Sequence, residues 1–237
     1  MLTIEQISEL AQKYQTSKVN VLREYLQHLF LSYFYQQEGS ENFLFKGGTA
    51  LRIIYNSPRF SEDLDFSGIK NGVIYEKIIE KVMSLISKTG DIEVDLVESK
   101  KTSGGWIGVF LFHILGYKVR IVNEISYRDK EKAGRFVLVS SDFIPPYRVF
   151  VLEPRILVGE KINALITRKK TRDVFDLYFI LRDSRLRKFY SQDKKELILS
   201  FIKGIKDSDI KRDLSNFLPL SYKPLLKELT RKILDEL

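Results

Sequence analysis

Apolar residues recur every three to four positions through the start of the chain, the spacing of a buried helix face. Ile4, Ile7, Leu10 and Ala11 form such a stripe over residues 3–14, with Thr3 and Gln6 in the two positions of a capping box. Val19, Leu22, Leu26, Leu29, Phe30 and Tyr33 form a second over residues 17–37, ended by Gly39-Ser40. Residues 43–46 then read as a short strand entering a Gly-Gly turn, 49–55 as a helix, Ser57-Pro58 as a loop, and the Asp63-Leu64-Asp65 stretch as the next strand. Residues 75–88 return to helical spacing, with Ile78, Ile79, Val82, Leu85 and Ile86 inward, and strand candidates follow at 92–98, 106–115 and 117–127. The separators, 100–105 and Gly116, are short enough for antiparallel hairpins, so a mixed sheet is expected. Pro145-Pro146 and Pro154 bracket an extended segment, 147–152, read as the passage between two lobes. Beyond it the spacing is helical to the C-terminus, over 156–167, 172–182, 194–203, 208–217 and 224–237. The expected organisation is a mixed α+β lobe over 1–150 and a helical lobe over 151–237 that completes its cleft.

Residues 45–66, FKGGTALRIIYNSPRFSEDLDF, carry the clearest chemistry. On an extended strand, side chains at i and i+2 share a face, so Asp63 and Asp65 are expected to project together while Leu64 faces the core. Two adjacent carboxylates repel, and a hard divalent ion such as Mg2+ relieves this while bridging to a nucleotide's phosphates. Gly47 and Gly48 supply backbone that can approach a phosphate closely, ahead of a helix whose N-terminus favours negative charge. An Asp-x-Asp tripeptide alone is more often solvated surface; the ordered string of turn, helix, Arg59, Ser61 and both aspartates is not.

That string resembles the catalytic signature of the DNA polymerase β-like nucleotidyltransferases and, in its KGGTAL and RxSxDLDF form, the AbiEii/AbiGii toxin family. The resemblance implies a polymerase β-like core with a mixed sheet flanked by helices. It implies transfer of a nucleoside monophosphate from an NTP, with Mg2+ or Mn2+ held by Asp63 and Asp65. Gly47, Gly48 and Thr49 would cradle the triphosphate, with Arg59 or Ser61 touching its outer oxygens. A third carboxylate is expected on a later strand. Val122 stands where the family often has an acid, and Glu124, two residues on and on the same face, is either that third metal ligand or a strand-end surface group.

Glu160-Lys161, Arg168, Arg172-Asp173 and Asp176-Leu177-Tyr178 resemble a second segment of the same family. Were the helix continuous, Lys161, Arg168 and Arg172 would lie within about 20° of one line, a row of cations suited to a triphosphate. Asp173 and Asp176 share a helical face and would orient those cations or the nucleophile, while Lys161 would stabilise transition-state charge. The alternative is a solvated helix with ordinary ion pairs. Glu124, Asp63 or Asp65 would assist deprotonation of the attacking hydroxyl.

Composition narrows the classes. The 237 residues contain no cysteine, which excludes disulfides, thiolate catalysis and cysteine zinc sites, and only His28 and His113, both read as packing or surface groups. No apolar run approaches the roughly 18 residues of a membrane span, and the first residues lack the basic and apolar regions of a signal peptide, so a cytoplasmic location is expected. A net charge of +8 favours a polyanionic partner, and residues 100–105 and 128–135 read as basic loops that either hold an RNA backbone or, as is commoner for loops rich in Lys and Gly, are simply solvated. The family resemblance implies a toxin of a toxin–antitoxin or phage-defence pair, acting on tRNA 3′ ends, with an antitoxin encoded nearby. Two other readings stay open: an enzyme that modifies a protein or small molecule, and a catalytically degenerate nucleotide-binding module.

Overall fold

The computed structural model describes residues 2–69, 75–128 and 132–237, which form two compact units. The first comprises Met1–Asn56 and Phe60–Leu152; the second comprises Ser57–Arg59 and Glu153–Leu237.

The first unit is built on seven strands, β1 (Phe43–Lys46), β2 (Leu64–Gly68), β3 (Ile92–Thr102), β4 (Gly105–Ile114), β5 (Tyr117–Ser126), β6 (Gly134–Val139) and β7 (Tyr147–Leu152). Their order is β3-β4-β5-β2-β1-β7-β6, with β2–β5 and β1–β7 parallel and the remaining pairs antiparallel. The mixed sheet is therefore present. One face carries Phe43, Phe45, Phe66, Trp106, Ile125, Val149 and Val151 into the core. Helices α1 (Ile4–Lys13), α2 (Lys18–Phe34) and α4 (Tyr75–Lys88) bring Ile7, Leu26, Phe30, Phe34, Ile79 and Val82 to that core, and α3 (Gly47–Tyr55) adds Ala50 and Ile53. Thr3 caps α1 with the reciprocal Thr3–Gln6 box that the sequence indicates.

Three expectations need correction. Residues 147–152 are not a passage but strand β7, hydrogen-bonded beside β1; alternation of Val149 and Val151 inward with Arg148 and Phe150 outward suits a sheet, and the flanking prolines only bound it. Lys100 and Lys101 lie on β3, opposite Ile107 and Trp106, so the basic loop contracts to the turn at Ser103-Gly104. Of the second basic loop, Arg135 is on β6, and residues 129–131 lie outside the described residues.

The second unit contains α5 (Pro154–Arg168), α6 (Thr171–Arg182), α7 (Ser184–Arg187), α8 (Lys195–Gly204), α9 (Asp207–Leu214) and α10 (Leu229–Glu236). Helix α6 is central, packing against α5, α7, α9 and α10 through Val174, Phe175, Leu177, Ile180 and Leu181. Pro154 occupies the first turn of α5, where its missing N–H costs nothing.

Candidate functional site

Strand β1 ends at Lys46, paired with Asp65 of β2, and the chain passes straight into α3 at Gly47. Gly47 has φ of +80°, and a Cβ built there would lie 2.0 Å from Asp65 Oδ2. Glycine is thus required twice: for its left-handed backbone and because the Asp65 carboxylate occupies the space a side chain would fill. The half-exposed carboxylate sits at the first turn of a helix that has no side-chain N-cap. Asp65 is also in register with Glu124 across the parallel β2–β5 pair, so the two side chains share a sheet face, Glu124 being exposed.

Asp63 corrects the simple strand argument. Strand β2 begins at Leu64, which leaves Asp63 on the preceding loop, and the alternation of a strand does not set its direction. Instead, the buried hydroxyl of Thr49 donates to the Asp63 carbonyl, so Thr49 ties the Gly-Gly helix to the acidic loop. Among the described residues, no three carboxylate or histidine side chains gather closely enough to hold a metal by themselves.

Helix α2 completes the loop's support with residues that the sequence reading passed over. Gln27, 1% exposed, donates from Nε2 to the Ser61 carbonyl at 3.0 Å, and Arg23 lies 3.4 Å from the Glu62 carboxylate. Arg23 is steadied by Asn20 Oδ1 at 3.1 Å. Asn20, Arg23 and Gln27 are three and four residues apart, hence on one helical face. Burial lowers the Arg23 pKa, while the charges of Glu62 and Asp63 oppose that shift. The pattern assigned these polar positions to solvent. The available signal was that α2 is apolar around most of its circumference, and such a helix buries its polar residues too.

In the second unit the cations do not form a row. Lys169 adopts a left-handed conformation, φ 53°, which ends α5, and α6 starts afresh at Thr171, so Lys161 and Arg168 belong to one helix and Arg172 to another. The two helices are cross-linked by charge. Lys161 Nζ donates to Asp176 Oδ2 at 2.7 Å, and Arg168 donates to Asp173 Oδ1 at 3.0 Å. Arg59, from the three-residue Ser57–Arg59 segment, grips Asp176 with Nε at 2.9 Å and Nη2 at 3.0 Å. Asp176 is fully buried, Arg59 5% and Lys161 9% exposed, which is not the solvated helix of the alternative reading. Burial alone would raise the Asp176 pKa, but Arg59 and Lys161 together hold it below the usual carboxylate value. Arg59 is therefore engaged by a carboxylate rather than standing open to phosphate oxygens. Arg172 is half-buried, and Asp173 is buried with no partner for Oδ2 among the described residues.

His28 is packed against Phe143 and hydrogen-bonded to the Tyr147 hydroxyl at 2.7 Å. Burial, reinforced by nearby Arg52, depresses its pKa to about 3, so it stays neutral. His113 pairs with Asp95 on the β3–β4 hairpin. No described helix is long and apolar enough to cross a membrane.

A family model described as "Nucleotidyl transferase AbiEii toxin, Type IV TA system" matches residues 29–237. Among solved structures, the chain is similar to MenT4, a nucleotidyltransferase toxin from Mycobacterium tuberculosis H37Rv, at 18% identity and a TM-score of 0.67, covering 99% of this chain and 90% of that one. It is also similar to JHP933 from Helicobacter pylori, at 18% identity and a TM-score of 0.61, covering 93% of this chain and 94% of that one. At such identities these likenesses show the fold. A search of curated proteins gives no match. With the mixed sheet, the Gly47–Asp65 packing and a family match over most of its length, the chain belongs to the AbiEii nucleotidyltransferase toxin family, with a core of the polymerase β-like kind.

Proposed function

We propose that this protein transfers a nucleoside monophosphate from an NTP to an RNA acceptor, the 3′ end of tRNA, as the toxin of a toxin–antitoxin pair. The observation that carries the reading is the Asp65 carboxylate lying on Gly47 at the start of an uncapped helix, because this sets metal-binding oxygens beside amides suited to phosphate. Mg2+ characteristically takes one or two protein carboxylates and completes its shell with substrate phosphates and water, so Asp63 and Asp65 fit it without a third protein ligand. When bound, the ion supplies neutralisation of phosphate charge and acidification of the acceptor hydroxyl.

The chain's own residues then divide the work. Gly47 and Gly48 present backbone to the triphosphate, and Thr49 acts by fixing Asp63. Ser61, whose carbonyl is held by Gln27, offers its hydroxyl and amide to the outer phosphate oxygens. Glu124, in register with Asp65, accepts the acceptor's proton in the role left open for it. Within the helical unit Asp176 orients Lys161 as a charge for phosphate, and Arg172 and Asp173 lie on the same helix as Asp176. Arg59 acts through Asp176 rather than by direct contact.

The test is incubation with each labelled NTP, Mg2+ and total RNA, followed by a denaturing gel. Label on a tRNA-sized band supports the reading. Label on protein alone would move the acceptor to another class, and NTP binding without turnover in Mg2+ or Mn2+ would identify a degenerate module.

A further inference from the structure

The β6–β7 hairpin carries a feature that this reading of the site does not use. Phe136 and Phe150 are paired across the two strands with ring centroids 4.8 Å apart, and the Arg148 guanidinium lies 4.5 Å from the Phe136 centroid. Phe136 is 49% exposed and its strand neighbour Leu138 67% exposed. The register fixes which face they occupy. Phe45 pairs with Val151, and both enter the core, so Phe150 points to the opposite face, together with its cross-strand partner Phe136 and with Arg148 two residues back. Asp65 alternates with core residue Phe66 and therefore lies on that same outer face. Three strand spacings, about 14 Å, separate β6 from β2.

We propose that Phe136, Phe150 and Arg148 form a stacking platform for unpaired bases of a single-stranded nucleic acid. An exposed phenyl ring backed by a second ring gives a base a flat partner at little entropic cost, and stacking of this kind is tolerant of sequence. Arg148 places a cation over the Phe136 ring, with no carboxylate in ion-pair contact among the described residues, where its guanidinium plane extends the stacking surface and can meet the phosphate of a stacked base. The chain's net charge of +8 favours a polyanionic partner over a neutral or basic one, because a polyanion gains from every exposed cation along its path. A second copy of this basic chain would meet the platform with like charge.

The inference deepens the proposed function, since it gives the acceptor a path toward Asp65, but its test does not depend on transfer. Binding of a fluorescein-labelled single-stranded RNA 12-mer is measured by anisotropy with the full chain carrying Asp65→Ala, without NTP, for Phe136 and Phe136→Ala. Phe136→Ala should weaken binding by about five- to 150-fold, the loss of one stacked base, and an RNA abasic throughout should bind the two proteins alike. Phe136 is half-exposed, so the substitution leaves the fold intact, which an unchanged melting curve checks; Arg148→Gln is the second variant, expected to flatten the salt dependence. Equal binding of RNA by Phe136 and Phe136→Ala, or equal affinity for intact and abasic RNA, overturns the platform. So does sedimentation showing a dimer that Phe136→Ala dissolves. Transfer by the wild type with Phe136-independent binding would refute this inference alone; Phe136-dependent binding with no transfer to any RNA would refute the function alone.

Discussion

Two aspartates in this molecule, Asp65 and Asp176, are opposite uses of one functional group. Asp176 is fully buried, gripped by a bidentate guanidinium and an ammonium, and its charge is answered inside its own unit. Asp65 is half-exposed, laid against a glycine at a helix start, with Asp63 nearby in sequence and Glu124 beside it in the sheet. The difference teaches where chemistry is available. A buried carboxylate with two cations is a joint, since removing any member strands a charge in a low-dielectric interior. In the proposed function, a half-exposed carboxylate at a helix start, near others of its sign, would receive a cation from outside.

Neutralising the half-exposed group or its neighbour should have the largest effect on activity and the smallest on stability. Asp63→Ala and Asp65→Ala are expected to reduce transfer by about a hundredfold or more, with an unchanged or raised melting temperature because like-charge repulsion is relieved. More than about a tenth of wild-type activity in both variants would break the comparison.

The joint bears first on stability. Asp176→Leu leaves Arg59 and Lys161 buried without their carboxylate and should cost about 3–5 kcal/mol, a fall in Tm of roughly 6–20 °C for a chain of this size. Acid sharpens the point. The Asp176 pKa is lower folded than unfolded, so its contribution is complete above the unfolded value of 3.8 and is lost as pH falls from there through the folded value. Stability of the wild type should therefore drop below about pH 4 more steeply than that of Asp176→Leu, which calorimetry across that range can check.

Between these extremes stands Gln27. Gln27→Leu keeps the helix apolar and about the same size but removes the bond to the Ser61 carbonyl. It should cost about 1 kcal/mol in stability yet lower kcat/KM for the NTP roughly tenfold through misplacement of Ser61 and the acidic loop. An unchanged kcat/KM beside the same loss of stability would assign Gln27 to packing alone.

What the sequence disclosed follows the same physical line. Gly47 was legible as a turn glycine ahead of a helix, though not its packing under the Asp65 carboxylate, and the mixed sheet was legible from short separators between alternating runs. Strand β6 was not, because its Gly134-Arg135 start follows a run of charged residues and resembles a loop. The break at Lys169 was legible as the gap between the helical stretches 156–167 and 172–182, although a lysine in the left-handed region carries none of the mark that glycine would. Gln27 and Arg23 were missed because polarity was equated with exposure, a rule that fails on a helix enclosed on most sides. The pairing of Arg59 with Asp176, 117 residues apart, has no local signature at all.

That last pair bears on how the protein can be cut and made. Ser57–Arg59 lies between α3 and β2 in the chain yet belongs to the helical unit. A gene fragment beginning at residue 153 would encode Asp176 and Lys161 but not Arg59, and one ending at residue 152 would carry Arg59 without its acid. The helical unit is thus discontinuous in the genetic text, and no single cut of the coding sequence yields it whole. Co-expression of the two fragments, or supply of the missing segment as a peptide, is the way to obtain it intact.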